Sequence, residues 1–368
     1  LAAPRDPDDF NPVRDMEETL YTIVEHYMTP AQAAPFGPIP GRLPIDADAD
    51  APSSSAPALL RLFKRALARR DGPAFRAVLA QINDALCALK YPPPPATSST
   101  PPPSSSPPHS SLPPNALVHN IARWMPSGPP QPVVLRILEE AYQRVVRPQE
   151  RKLENYKAFH DTVYGELLPP LVARILRTHT RLRPGQIFVD LGSGVGQVCA
   201  QAALQTGCTA YGIEIQPDAA SVAASFVRDV RARAQGGWAL RMGECEVVEG
   251  DILVRSEVAG WVREADVVLV NNKVFSAQLN EHLRTLFLDL KDGALVVSLA
   301  PFRHASGDRA LEDVASIFDV ETWEFYGGEV SWTGTGGEYY VHRVDRAAHR
   351  ARVARLEAAE RRTRGARR

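Results

Sequence analysis

Phe188-Val189-Asp190-Leu191-Gly192-Ser193-Gly194-Val195-Gly196-Gln197 is a short apolar run that ends on an acid and opens into alternating glycines. The apolar residues predict a buried strand. Gly192, Gly194 and Gly196 predict a turn whose backbone adopts conformations that other residues avoid, and that lets a ligand come close. A helix expected to begin near Gln197 would turn its free N-terminal amides toward the same point. Strand, glycine turn and helix in this order predict a nucleotide-type ligand beyond the strand's carboxyl end.

The spacing narrows the ligand. A dinucleotide fingerprint reads G-x-G-x-x-G, with an acid about 20 residues on. Here the glycines fall as G-x-G-x-G and Asp190 precedes them directly. That carboxylate would repel a pyrophosphate and suits a cation, such as the amino group of a methionine-derived cofactor. Glu214 ends the next apolar run, Thr209-Ala210-Tyr211-Gly212-Ile213-Glu214, where a carboxylate can accept both hydrogen bonds of a ribose diol. S-adenosylmethionine fits this set better than NAD.

From about residue 165 the chain alternates strand and helix patterns. Strands are predicted at 186–190, 209–214, 245–249, 265–271, 293–299, 320–325 and 338–344, with helices at 197–206, 217–234 and 277–290. Alternation of this kind implies a parallel sheet covered on both faces. The last two strands leave no room for a crossover helix, so they must pair antiparallel. The predicted fold class is α/β: a seven-stranded class I methyltransferase (Rossmann-like) sheet with an N-terminal α-helical accessory region. Asp190, Glu214, Asp251 and Asn271 then all fall at strand carboxyl ends.

Residues 1–150 are expected to form that accessory region, 151–346 the methyltransferase domain and 347–368 a basic tail. Apolar residues recur at helical spacing from Leu59 to Leu86, broken at Asp71-Gly72-Pro73. Further helices are expected over 10–29 and 132–160. Residues 30–57 are rich in Pro, Ala and Asp, and 91–114 are almost entirely Pro, Ser and Thr, so both are expected to be linkers or disordered. A net charge of −1 argues against a uniformly basic nucleic-acid binder. The arginines are nevertheless concentrated between Arg343 and Arg368, against only Asp345, Glu357 and Glu360, a pattern suited to DNA phosphates. The four cysteines form no C-x-x-C pair and the histidines no metal-binding spacing, so no metal is expected and a reducing compartment is. No apolar run reaches the length of a membrane span, and no signal peptide is visible. The chain begins at Leu1, which suggests an excerpt of a longer sequence.

Three further segments carry chemistry. Gly250-Asp251-Ile252 follows the third strand, where Asp251 can accept from an adenine amino group and Ile252 can lie against the ring. Asn271-Asn272-Lys273-Val274-Phe275 follows the fourth, where the methyl acceptor arrives in sheets of this type. Amide side chains can hold an amine without taking its proton. This suits a lysine acceptor, whose ammonium has a pKa near 10.4 and must lose a proton before attack. An apolar channel favours the neutral amine, and Phe275, Trp332 and Tyr340 are candidates to line one. The prolines of base-amine methyltransferases, the Pro-Cys of pyrimidine enzymes and the paired glutamates of protein-arginine enzymes are all missing at this point.

Taken in order, Tyr164 to Pro169, Val189 to Gln197, Tyr211 to Glu214, Gly250-Asp251, Val270 to Asn272 with Phe275, and Val330 to Gly334 followed by Glu338-Tyr339-Tyr340 resemble the catalytic domain of the disruptor of telomeric silencing family. Its members are histone H3 lysine-79 methyltransferases without a SET domain. Gly336 to Tyr340 resembles the fungal branch most. The resemblance implies transfer of methyl from S-adenosyl-L-methionine to that lysine in nucleosomes. It also implies a nuclear location and roles in chromatin regulation, telomeric silencing and the DNA damage checkpoint. It implies that Tyr164, Gly165, Glu166 and Leu167 close over the methionine end of the cofactor. Phe188, Val189, Asp190, Leu191, Gly192, Ser193, Gly194, Val195, Gly196 and Gln197 would form the cofactor loop, Glu214 would hold the ribose, and Asp251 and Ile252 the adenine. Asn271, Phe275, Trp332 and Tyr340 would shape the lysine channel. The chain departs from the family at Ile252, where phenylalanine is frequent, and at Lys273, where an apolar residue is usual. A methyltransferase for another protein or RNA, and a chromatin-binding module without catalysis, are the competing readings.

Overall fold

In the computed structural model, residues 10–41, 58–91, 115–124, 127–157, 165–302 and 314–366 are described. Tyr164 and the Pro/Ser stretch 92–114 lie outside them, as do 42–57 and Arg367-Arg368. The chain divides into two compact units, Leu1–Arg136 and Ile137–Arg368. The division falls inside the helix Gln131–Ala141, ahead of the expected residue 150.

The first unit is helical. Pro12–Tyr27 is capped by Asn11, whose side chain accepts from the Val13 and Arg14 amides. Leu59–Ala68 and Gly72–Lys90 form the expected hairpin. The first helix ends at Ala68, followed by Arg70 at φ 52°, and Asp71 starts the next by accepting from the Ala74 amide at 2.9 Å. Leu20, Val24, Leu60, Phe63, Val78 and Ile82 form the buried core of this unit.

The second unit holds one seven-stranded sheet. Its strands are β1 (Ile187–Leu191), β2 (Thr209–Glu214), β3 (Cys245–Glu249), β4 (Val267–Val270), β5 (Leu295–Ser298), β6 (Phe318–Phe325) and β7 (Gly337–Val344). The order is β3-β2-β1-β4-β5-β7-β6, parallel except for β7, which is antiparallel to both β5 and β6. This is the class I methyltransferase sheet, and all seven predicted strands are present within a few residues. The helices Gln197–Thr206, Pro217–Ala232 and Ala277–Leu286 fill the crossovers.

Alternation along β1 sorts its side chains. Val189 and Leu191 enter a core with Val268, Val270, Val296 and Phe287. Phe287 meets Phe302 edge-on at 5.1 Å and Phe318 at 6.5 Å. Truncating one of these rings to alanine removes about 3–5 kcal/mol. Strand order reverses at β1, between β2 and β4, and Asp190 there is level with Gly212 of β2 and Leu269 of β4. A crevice opens beyond the strand ends at such a reversal.

Candidate active site

A cavity of about 320 Å³ occupies that crevice. Its wall comes from the β1 end and turn (Asp190, Gly192 to Val195, Gln197), the β2 end (Ile213, Glu214, Ile215), Asp251-Ile252, Asn271 with Val274 to Ser276, and the loop Gly165-Glu166-Leu167. Val198, Leu269 and Leu279 complete the apolar part. Four carboxylates line it, those of Glu166, Asp190, Glu214 and Asp251, and the lining contains no Lys, Arg or His.

The glycine turn is tied down from both sides. Gly192, Gly194 and Gly196 have φ of 92°, 53° and 74°, in the left-handed region open to glycine. The Gly192 and Ser193 amides both donate to the Ile213 carbonyl at 2.9 Å. Glu214 accepts from the Gly194 amide at 2.8 Å with one oxygen and from the Gln216 amide at 2.9 Å with the other. The second acid therefore braces the turn made by the first motif. No side chain caps the helix that follows. Ser193 Oγ and Gln197 Oε1 are buried with no partner among the described residues.

Asp190 is buried, with the Cys199 thiol 3.9 Å from one oxygen. Burial, reinforced by the nearby Glu214 charge, pushes its carboxyl up to about 7, with the thiol contact opposing slightly. No basic side chain lines the cavity beside it.

On the far wall the two asparagines separate. Asn272 is buried, its oxygen accepting from the Leu299 and Ala300 amides at 3.0 and 2.8 Å. Its nitrogen donates to Asn280 and the Ala300 carbonyl, so it is a structural tie between β4 and β5. Asn271 faces the cavity and donates to the Gly165 carbonyl at 2.8 Å. No hydrogen bond to its carbonyl oxygen is found among the described residues. Phe275 lines the same wall, while Lys273 is exposed and not part of it.

Several expected site residues lie elsewhere. Phe188, Val189 and Leu191 are fully buried, with side chains packed in the layers on the two faces of the sheet and outside the cavity lining. Gly196 packs toward Ala223 and Val247 behind the turn. Trp332 does not line the cavity; it lies on Gly165, where a Cβ would come within 2.5 Å of the indole, and meets Phe325 edge-on. Tyr340, on β7, donates to Glu338 at 3.1 Å. Ser331 was not singled out by the sequence, yet it accepts from the Glu166 amide at 2.8 Å. Its only signal was its place inside the Val330 to Gly334 segment. Among the described residues no group of three or more His, Cys, Asp or Glu is placed to hold a metal, and no helix is long and apolar enough to cross a membrane.

The model of the histone methylation protein DOT1 family matches residues 142–344. The chain belongs to this family. All the cavity's residues fall inside the DOT1 region. The chain is 40% identical over 225 residues to a protein of Yarrowia lipolytica, covering 60% of this chain and 45% of that one. It is 38% identical over 338 residues to one of Mycosarcoma maydis, covering 89% and 39%. It is 32% identical over 348 residues to one of Aspergillus fumigatus, covering 94% and 61%. Each of these is named a histone-lysine N-methyltransferase specific for H3 lysine-79. The chain thus spans 39% to 61% of the length of these DOT1 relatives.

Proposed function

We propose that this DOT1-family chain transfers a methyl group from S-adenosylmethionine to lysine-79 of histone H3 in nucleosomes, with the cavity as the cofactor site. The observation that carries the reading is the charge of the wall: four carboxylates, no cation, and two orphaned polar atoms at the turn. A dinucleotide pyrophosphate would meet repulsion from Asp190 and Glu214, whereas a ligand with a cationic end relieves it. Gln197 Oε1 is an acceptor waiting for a donor, and the ammonium of a methionine moiety is one.

The residues then divide the work. Asp190, Gln197 and the turn amides hold the methionine end, Glu214 the ribose diol, and Asp251 the adenine amino group with Ile252 against the ring. When bound, the sulfonium supplies an activated methyl group. Asn271 and Phe275 face the acceptor. Asn271 holds an incoming amine through its carbonyl oxygen without accepting its proton. The apolar wall of Phe275, Val274 and Leu279 favours the uncharged amine. Positioning of this kind accounts for several kcal/mol of barrier lowering, and no side-chain base is required.

DNA contact is assigned to the basic Arg343–Arg368 tail, most of which forms the helix Arg346–Ala366. Within it Arg346 is engaged with the Leu288 and Leu290 carbonyls and Arg352 with Ser316, while Arg350 and Arg355 are exposed. A nuclear location follows from a nucleosomal substrate. The test is incubation with labelled S-adenosylmethionine and, in parallel, nucleosomes and free histones. Label on histone H3 of nucleosomes alone is expected. Label on another protein or on RNA redirects the substrate assignment, and cofactor binding with no transfer would leave a binding module.

A further inference from the structure

The loop Gly165-Glu166-Leu167 reaches the cavity from far away in sequence, and the chain that holds it there is 329–332. Leu167 and Val330 form an antiparallel bridge. The Leu168 amide donates to the Glu329 carbonyl at 2.9 Å, and the Ser331 amide to the Glu166 carbonyl at 3.0 Å. The Glu166 amide donates to Ser331 Oγ at 2.8 Å. Ser331 therefore grips both backbone polar groups of Glu166, one with its main chain and one with its side chain. Glu329 is fixed in turn by Arg174 at 2.7 Å and by the Tyr326 amide at 2.8 Å. The next residue, Trp332, lies on Gly165 so closely that only a glycine fits beneath the ring.

We propose that Ser331 is a positioning residue for the cofactor. Its hydroxyl locks the Glu166 backbone to the segment carrying Trp332, so that ligand in the cavity and the setting of the Trp332 ring are coupled. This rests on the cofactor reading above. The physical reason is geometric. A loop with one bridge pair to its neighbour can pivot about it, and a second tie on the same residue removes the pivot. Glu166 lies, like Asp251, outside every strand and helix of the wall, and Ser331 fixes its main chain.

The variants Ser331→Ala and Ser331→Thr separate the hydroxyl from the rest of the residue. Hydrogen exchange in the ligand-free protein should show the Glu166 amide opening at least several-fold faster in Ser331→Ala, with Ser331→Thr close to the parent. Calorimetry with S-adenosylhomocysteine should give about fivefold weaker binding in Ser331→Ala, the scale of one partly exposed hydrogen bond, and recovery in Ser331→Thr. The change in Trp332 fluorescence at saturating ligand, obtained by difference from Trp332→Phe, should be lost in Ser331→Ala. Unchanged Glu166 exchange in Ser331→Ala overturns the proposal, as does equal loss of affinity in both variants. Failure of the parent protein to bind S-adenosylhomocysteine would refute the cofactor reading, and the exchange measurement would still decide on the grip.

Discussion

The two walls of the cavity are made in opposite ways. On one, a single unbroken stretch from Asp190 to Gln197 supplies strand end, turn and helix start, and Glu214 on the neighbouring strand braces it through the Gly194 amide. On the other, Asn271 is tied to Gly165, which lies under Trp332, so three segments far apart in sequence share one surface. The first wall is a local motif with one long-range tie. The second exists only when the sheet has brought its parts together. Damage to the first should therefore act on ligand binding at a point, and damage to the second should spread between acceptor handling and loop order.

The sharpest break is Gly194→Arg. With φ of 53° and its amide on Glu214, this cavity-lining position takes an L side chain only under strain, and a long one would fill the cavity. S-adenosylhomocysteine binding should weaken by at least about 100-fold in calorimetry, with circular dichroism showing the sheet retained. Next comes Glu214→Ala, which removes both the brace and the proposed ribose acceptor. Affinity should fall by about 10–100-fold, in line with the loss of two hydrogen bonds to a charged group. Normal affinity in either variant would place the cofactor elsewhere.

Asn271→Ala tests the opposite wall. On nucleosomes kcat/KM should drop by about tenfold, with a smaller loss, about threefold, in S-adenosylhomocysteine affinity through the freed Gly165 carbonyl. If affinity suffers more than turnover, Asn271 serves the loop and not the acceptor.

Asp190 gives a pH signature. Its carboxyl is raised to about 7, so in the ligand-free protein it keeps a proton that the unfolded chain has already released between about pH 4 and 7. The folded state therefore binds more protons across that window, and stability falls as pH rises through it. The melting temperature of the free protein should decline over this range, and Asp190→Asn should flatten the decline. A ligand with a cationic end requires the ionised form, so affinity should weaken by up to about tenfold per unit below pH 7. A pH-independent affinity would remove Asp190 from contact with the cation. The smallest expected effect is deletion of 347–368, with about two- to fivefold lower activity on nucleosomes and a shallower salt dependence.

Much of the first wall was legible because its chemistry is contiguous. An acid before alternating glycines, followed by a second acid at the next strand end, is a pattern of neighbouring residues. Strand and helix periods placed it in the right fold. Within the motif the side chains of Phe188, Val189 and Leu191 are buried in the sheet's layers and do not line the cavity. Alternation puts Val189 and Leu191 together on the face opposite Asp190, while Asp190 meets the cavity. On the second wall the pair Asn271-Asn272 looked uniform and is not. Asn272 has its amide engaged across β4 and β5, which depends on where Leu299 and Ala300 fall. Tyr164 was named with the loop and lies outside the described residues.

The sequence by itself determined the sheet, its order of strands and helices, the antiparallel last hairpin and the acid–glycine–acid set at the carboxyl ends of β1 and β2. These depend on periodicity and on neighbours along the chain, which spacing records. Only the tertiary structure decided that Ser331 holds Glu166, that Trp332 rests on Gly165 instead of lining the cavity, and that Asn271 has one end tied to the loop. Those are contacts between segments roughly a hundred or more residues apart, and no local pattern encodes which backbone group will face which side chain once the sheet has closed.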